Sequence, residues 1–369
     1  MAECTAAVAH AANQDFTIER LGIEEPRAGE VRVRIAGVGL CHTDLVCRDQ
    51  FDSFAKPAVL GHEGAGTIDA IGDGVRGLKV GDRVILGFSS CGQCRRCAEG
   101  LPSYCDQFGP LNYAGMRLED GSTAYSAGGA RVSSHFFGQS SFASMAIARA
   151  RNVVKVGSTK VPLELLGPLG CGFQTGAGAV LRSMNCPQGS SLVVIGGGPV
   201  GLAAVMAGAI RRCETIVLVE PIAARREVGL DLGATHVIDP GAGDIGAAIR
   251  EILPMGAEFV LDTSGNKAAI EAGIASLAAH GMIGLVGVPK DLSSSVSINI
   301  VALMTSGLRI IGIIEGDSLP QDFLPELLEH HAAGRFPFDR LIRTFPLARI
   351  NEAIAAQARG DCIKVVLVP

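Results

Sequence analysis

The chain has 369 residues, enough for about two domains that each bury an apolar interior, and 48% apolar against 19% charged residues exclude a disordered polymer. A formal charge of −5 from 32 basic and 37 acidic residues is too evenly mixed for a polyanion-binding surface, so nucleic acid is not expected as a partner. The 48 glycines suit an α/β architecture with many tight strand-to-helix turns.

In chain order, the first twenty residues lack a basic start followed by a long apolar stretch, which predicts a cytoplasmic chain without a secretion signal. From 31 to 84, short β segments such as 31–35 and 66–71 alternate with Gly and Pro turns, predicting a strand-rich domain. Of eleven cysteines, four are crowded as Cys91-x2-Cys94-x2-Cys97-x7-Cys105. Four thiolates within fifteen residues suffice to close a tetrahedral zinc with no position left for substrate, the chemistry of a structural site. The bland alternative, four unrelated buried cysteines, does not explain the spacing.

Near Leu163 the pattern changes. Strand-like 192–195, helix-like 200–210, strand-like 215–219, helix-like 223–232 and strand-like 236–238 alternate, with further strands at 259–261 and 282–286, as in a parallel sheet with helices on both faces. The uncharged stretch 183–210 is long enough to raise a membrane span, but Pro187, Gly189, Gly196, Gly197, Gly198, Pro199 and Gly201 break it into strand, turn and helix. No membrane association is expected. The last part carries an amphipathic helix at 323–331, a turn at Gly334 and a closing strand at 363–368, expected to return to the first domain.

The strand 192–195 runs into Gly196-Gly197-Gly198-Pro199-Val200-Gly201, which fits G-x-G-x-x-G: Gly196 for the tight turn, Gly198 for backbone approach of a pyrophosphate, Gly201 for packing of helix on strand. The next strand ends at Glu220, nineteen residues after Gly201. An acid there accepts from adenosine ribose hydroxyls and repels a 2′-phosphate, which favours NAD over NADP. Arg225 and Arg226 point the other way, since arginines near this strand end can pair with a 2′-phosphate; their bland reading is a solvated helix face.

A second set of metal-ligand residues is dispersed: Cys41-His42-Thr43-Asp44, Gly61-His62-Glu63 and Gly170-Cys171-Gly172. Two thiolates and an imidazole would make a Cys₂His zinc site with one position open, the catalytic arrangement, but spacing does not prove that they converge. Taken singly, a buried histidine or cysteine is as well explained by core packing.

Together these residues resemble the zinc-dependent medium-chain alcohol dehydrogenase family over essentially the whole chain. Residues 61–66, Gly-His-Glu-Gly-Ala-Gly, look like its zinc signature, and the four-cysteine loop like its structural-zinc lobe. More narrowly, 167–178 and 135–142 resemble the aryl (benzyl) alcohol dehydrogenases and their relatives acting on allylic alcohols such as geraniol. The resemblance implies a doubly wound Rossmann domain at 173–315 that binds NAD, inserted in a strand-rich GroES-like catalytic domain at 1–172 and 316–369. It implies two zinc ions per chain. Cys41, His62 and Cys171 would hold the catalytic ion beside Asp44 and Glu63, and Cys91, Cys94, Cys97 and Cys105 the structural one.

Thr43 matches the hydroxyl that links the bound alcohol to the cofactor ribose, Thr175 and Val200 match nicotinamide contacts, and His42 and Lys364 match positions near the pyrophosphate. Val46 stands where relatives carry a histidine that passes the proton to solvent. The implied reaction takes a primary alcohol to its aldehyde, and the implied assembly is a homo-dimer or tetramer. Phe51, Phe54, Phe88 and Ile313 are candidates for an apolar substrate slot. Polyol, aliphatic-alcohol or glutathione-linked formaldehyde oxidation, and a non-catalytic protein on the same fold, remain the competing readings.

Overall fold

The structure is a computed structural model describing residues 2–51 and 54–369. Contacts divide the chain into two compact units: Met1–Cys171 with Leu319–Ala332 and Pro337–Pro369, and Gly172–Ser318 with Ala333–Phe336.

The strand Glu30–Leu40 organises the first unit. Val31, Val33 and Ile35 are buried while Arg32 and Arg34 alternate with them and pair with Asp69 on the neighbouring strand, the period of a half-buried β-strand. Beyond Gly37 the alternation stops and the strand is buried throughout. There the closing strand Lys364–Val368 lies antiparallel to it, Val365 opposite Leu40. The end of the chain is thus hydrogen-bonded beside the end of this strand. Gly64–Ile71 pairs on the other edge, followed by Arg83–Leu86 and Val153–Lys155, while Ile342–Pro346 flanks the closing strand. A second sheet, ordered Ala58–Val59, Ala2–Ala9, Thr17–Ile23, Tyr125–Ala127, Ala130–Val132, is antiparallel and shares the core of Phe16, Leu21, Ile23, Tyr125 and Phe142.

The second unit is a parallel sheet in the order His236–Ile238, Thr215–Val219, Ser191–Ile195, Ala257–Asp262, Leu277–Leu285, Arg309–Gly312. The chain runs outward to one side from the central strand, then returns to its other side, the doubly wound order with a crevice where the direction reverses. Ser191–Ile195 is buried throughout and so are residues 201–208 of the helix Pro199–Arg211, which explains the uncharged stretch without a membrane. Among the described residues no helix is long and apolar enough to cross a bilayer.

One buried ion pair braces the first unit. The Arg117 guanidinium donates to both oxygens of Glu30, at 2.7 and 2.9 Å, at the start of the organising strand. Although burial pushes the Glu30 carboxyl up, Arg117 and the Arg27 N–H hold it below the ordinary value of 4.5. Next to the pair, burial pushes His135 down from 6.5 to about 4. Both shifts act in one direction, because the unfolded chain binds more protons than the folded one on acidification. Folding stability is therefore expected to fall from about pH 6.5 downward through His135, and further below 4.5 as the Glu30 contribution is lost. Urea midpoints against pH check this, and His135→Asn should flatten the upper part of the profile. Arg117→Leu, which strands the buried carboxylate, should cost about 3–5 kcal/mol at neutral pH.

Candidate active site

Cys41 follows the organising strand and stands at the N-cap of the helix His42–Gln50. The helix begins there because Asp44 turns its carboxylate back and accepts from the Cys41 N–H at 2.9 Å. The other oxygen of the same carboxylate accepts from the Gly61 N–H at 3.1 Å and from His62 Nδ1 at 2.8 Å. A carboxylate can only accept, so Nδ1 carries a proton and Nε2 is the nitrogen that a metal would take. That Nε2 is buried and has no hydrogen-bond partner among the described residues. Cys171 follows the turn Gly167–Gly170, whose approach depends on Gly167: a Cβ there would lie 2.0 Å from the carbonyl oxygen of Glu63. The donor atoms of Cys41, His62, Glu63 and Cys171 come within 4.8 Å of one another.

This group fits zinc by its own chemistry: two sulfurs, a buried imidazole nitrogen without a hydrogen-bond partner among the described residues, and an anionic group fixing the ring. The electrostatics agree. Hydrogen bonding with Cys171 and the charge of His62 hold the Cys41 thiol well below its usual range despite burial. Burial works against charge on His62, but the Asp44 carboxylate overcomes it and raises the imidazole. Glu63 is buried with its carboxylate on the Lys364 ammonium at 2.5 Å, and Lys364 also donates to the Leu40 carbonyl at 3.1 Å. Lys364, expected near a pyrophosphate, is thus buried and bound to Glu63. His42 is exposed, and the half-buried Thr43 hydroxyl is 3.7 Å from the Cys41 sulfur. Val46 is buried.

Cys91, Cys94, Cys97 and Cys105 converge within the same 4.8 Å limit. Backbone N–H groups of Cys91, Gly92, Cys94 and Gln107 point at sulfurs of this loop at 3.2–3.4 Å, the arrangement that stabilises thiolates. The N–H groups of Cys97 and Asp106 push Cys94 down to about 6, while burial pushes Cys97 up and Cys105 up to about 12.

Aromatic rings pack around His62. Phe137 stacks on the imidazole with centroids 4.4 Å apart, and Phe136 meets it edge-on at 5.3 Å. Tyr113 and Phe108 contact Phe137, Phe54 contacts Phe136, Phe51 contacts Tyr113, and Phe88 contacts Phe108. His135 and Phe137 both have left-handed backbone, φ 61° and 49°, held as the Ser140 hydroxyl accepts from the Phe136 N–H and donates to the Val59 carbonyl. Of the residues expected to line a slot, Phe51, Phe54 and Phe88 belong to this group, while Ile313 is a buried residue of the other unit. Phe136, Phe137, Tyr113 and Phe108 were not expected there. For Phe136 and Phe137 the sequence signal is the local run from His135 to Phe142, and Phe108 and Tyr113 lie outside it.

In the second unit the central strand ends at Ile195 and turns at Gly196 (φ 103°) into the helix Pro199–Arg211, N-capped by Gly198. A Cβ on Gly201 would lie 1.8 Å from the Gly196 carbonyl oxygen, so only glycine allows this helix so near the strand end. Val200 is half-buried in the first turn of that helix, and Thr175 lies in the helix Gly172–Gly178. Glu220 is buried and accepts from the N–H groups of Gly197, at 2.6 Å, and Ile222, at 2.9 Å, bracing the glycine turn. Arg226 is consumed locally by the carbonyls of Glu220 and Pro221 and by Asp239 at 3.1 Å. Arg225 is half-buried beside it.

Residues 27–158 match the model of the alcohol dehydrogenase GroES-like domain, and residues 199–332 that of the zinc-binding dehydrogenase. Geraniol dehydrogenase of Castellaniella defragrans is 48% identical over 98% of this chain and 97% of its own. The chain belongs to the zinc-dependent medium-chain alcohol dehydrogenase family. Among solved structures, an alcohol dehydrogenase zinc-binding domain protein from Burkholderia ambifaria superposes with a TM-score of 0.96 at 47% identity, covering 100% of this chain and 99% of that one. Benzyl alcohol dehydrogenase from Acinetobacter calcoaceticus does so with 0.95 at 39% identity and the same coverage.

Asp44→Asn should lower zinc affinity at the Cys41, His62 and Cys171 group about 10- to 100-fold, since an amide no longer fixes the imidazole tautomer. Zinc retention against a competing chelator checks this, with retention at the four-cysteine loop unchanged.

Proposed function

We propose that this family member oxidises a primary alcohol whose carbinol carbon adjoins an aromatic ring or an allylic double bond, with NAD as acceptor and two zinc ions per chain. The observation that carries the substrate class is the aromatic wall built on His62, with Phe137 stacked on the ring and Phe136 set edge-on to it. A flat conjugated substrate gains offset or edge-on contact with such rings that a polyol or ethanol does not. The relatives named for geraniol and benzyl alcohol support the same class.

Cys41, His62 and Cys171 would hold one zinc, and Cys91, Cys94, Cys97 and Cys105 the other. A zinc at the first group and a bound nicotinamide would supply Lewis-acid activation of a hydroxyl and acceptance of a hydride. Asp44 keeps the His62 lone pair outward, and Glu63, engaged by Lys364, serves as a charged neighbour rather than a ligand. Thr43 is the hydroxyl that would accept the alcohol proton, and with Val46 apolar, water is the group that would take it to solvent. Gly196, Gly198 and Gly201 admit the pyrophosphate, Thr175 and Val200 meet the nicotinamide, and Glu220 excludes a 2′-phosphate. Arg226 is already bound to two carbonyls and Asp239, which supports NAD, and Arg225 lies half-buried at the same end. His42, which is exposed, and Lys364, which also pairs with Glu63, are the basic side chains assigned to the pyrophosphate.

The domains follow as a catalytic part at 1–172 and 316–369 and a nucleotide part at 173–315. Metal-binding thiols need a reducing compartment, which supports the cytoplasm. Ile300, Val301 and Met304 are 71%, 67% and 74% exposed on one short helix preceding the edge strand Arg309–Gly312, a surface that supports a homo-oligomer.

NADH formation with benzyl alcohol, geraniol, ethanol and sorbitol side by side tests the substrate class. Benzyl alcohol and geraniol should exceed the other two by at least about tenfold in kcat/KM, and NADP should replace NAD poorly. Equal or better turnover of ethanol or sorbitol would overturn the aromatic or allylic assignment. Cys41→Ala should abolish turnover while one zinc per chain remains, measured by metal analysis. Light scattering of Val301→Asp should show a smaller assembly than wild type.

A further inference from the structure

Glu315 is a buried carboxylate that neither the glycine turn nor the metal groups account for. It opens the turn Glu315–Asp317, in which three successive residues have left-handed backbone: φ is 54° at Glu315, 67° at Gly316 and 49° at Asp317. For a residue with a side chain this conformation brings Cβ against the next carbonyl, so two such residues in three persist only where their surroundings hold them.

The surroundings are a ring of polar side chains. Glu315 Oε2 accepts from Gln174 Nε2 at 3.0 Å and from Thr175 Oγ1 at 3.5 Å. The Ser318 hydroxyl lies 3.1 Å from Gln174 Oε1 and 2.8 Å from the Glu315 carbonyl oxygen. All four residues are buried. The turn rests directly on helix backbone, for a Cβ on Gly178 would sit 2.4 Å from the Gly316 carbonyl oxygen. Gln174 and Thr175 occupy the first turn of the helix Gly172–Gly178. With its hydroxyl drawn to Glu315, Thr175 has one rotamer, and its methyl group is presented on a different side from the turn.

We propose that Glu315 is a positioning residue for the nicotinamide: by accepting from Gln174 and Thr175 it fixes the first turn of this helix and the face Thr175 offers to the ring. This rests on the reading of Thr175 as a nicotinamide contact. Removal of the carboxylate frees the threonine hydroxyl to exchange places with its methyl and lets the left-handed turn relax. The adenosine and pyrophosphate end of the cofactor is bound by other residues and does not feel the change.

The test is titration of the zinc-loaded enzyme with NADH, followed by fluorescence, and with ADP-ribose, which lacks the nicotinamide, by calorimetry. Glu315→Ala should weaken NADH about tenfold, the loss of a buried hydrogen-bond acceptor, and leave ADP-ribose within about twofold. The isosteric Glu315→Gln, which perturbs the turn less than alanine, should show the same split with a smaller loss. Thr175→Val should weaken NADH, and adding Glu315→Gln to it should cost little more, because both act through one contact. Unchanged NADH binding, equal weakening of both ligands or additive losses in the double variant would overturn the proposal while leaving the dehydrogenase reading intact. Failure of the wild-type protein to bind either ligand would overturn both.

Discussion

Asp44 joins parts of the site that the chain supplies separately. Its two oxygens hold the N–H of Cys41, the N–H of Gly61 and Nδ1 of His62 inside a fully buried space. A buried carboxylate is costly unless its lone pairs are met, and here three donors from two segments meet them. The same contacts that satisfy the charge start a helix, fix the backbone before His62 and choose its tautomer. Metal binding thereby becomes a property of the fold rather than of any one segment.

Around that point the first unit deploys two kinds of neighbour. On one side lie charges in a closed arrangement, Glu63 with Lys364, made possible because the closing strand pairs beside the end of the organising strand. On the other lie apolar rings, Phe136 and Phe137, held by left-handed backbone that the Ser140 hydroxyl anchors. Gln139 links the two sides, donating to the His62 carbonyl at 2.9 Å and accepting from the Gly64 N–H at 3.0 Å. Charge is kept where a cation must be balanced, and the neighbours of the His62 ring are aromatic.

The nucleotide unit uses backbone in a comparable way. Glu220 spends its carboxylate on the N–H groups of Gly197 and Ile222, so the acid at the end of Thr215–Val219 stiffens the glycine turn. Glu315 does for the helix Gly172–Gly178 what Glu220 does for that turn, with side-chain rather than backbone donors. In both places a buried carboxylate sets the conformation of the segment that would face the cofactor.

Features encoded by neighbours in sequence were legible without coordinates. The four-cysteine loop closes within fifteen residues, the glycine turn is contiguous, and Thr215–Val219 leads directly to Glu220, so local spacing determined each of them. The alternation of strand and helix patterns likewise determined the parallel sheet. Convergence of Cys41, His62 and Cys171, the pairing of Glu63 with Lys364, the ring stacked on His62 and the bond from Thr175 to Glu315 join residues from about twenty to three hundred positions apart. No periodicity spans such separations, because what brings those groups together is strand pairing and the need to satisfy buried charge, which exist only in the folded chain.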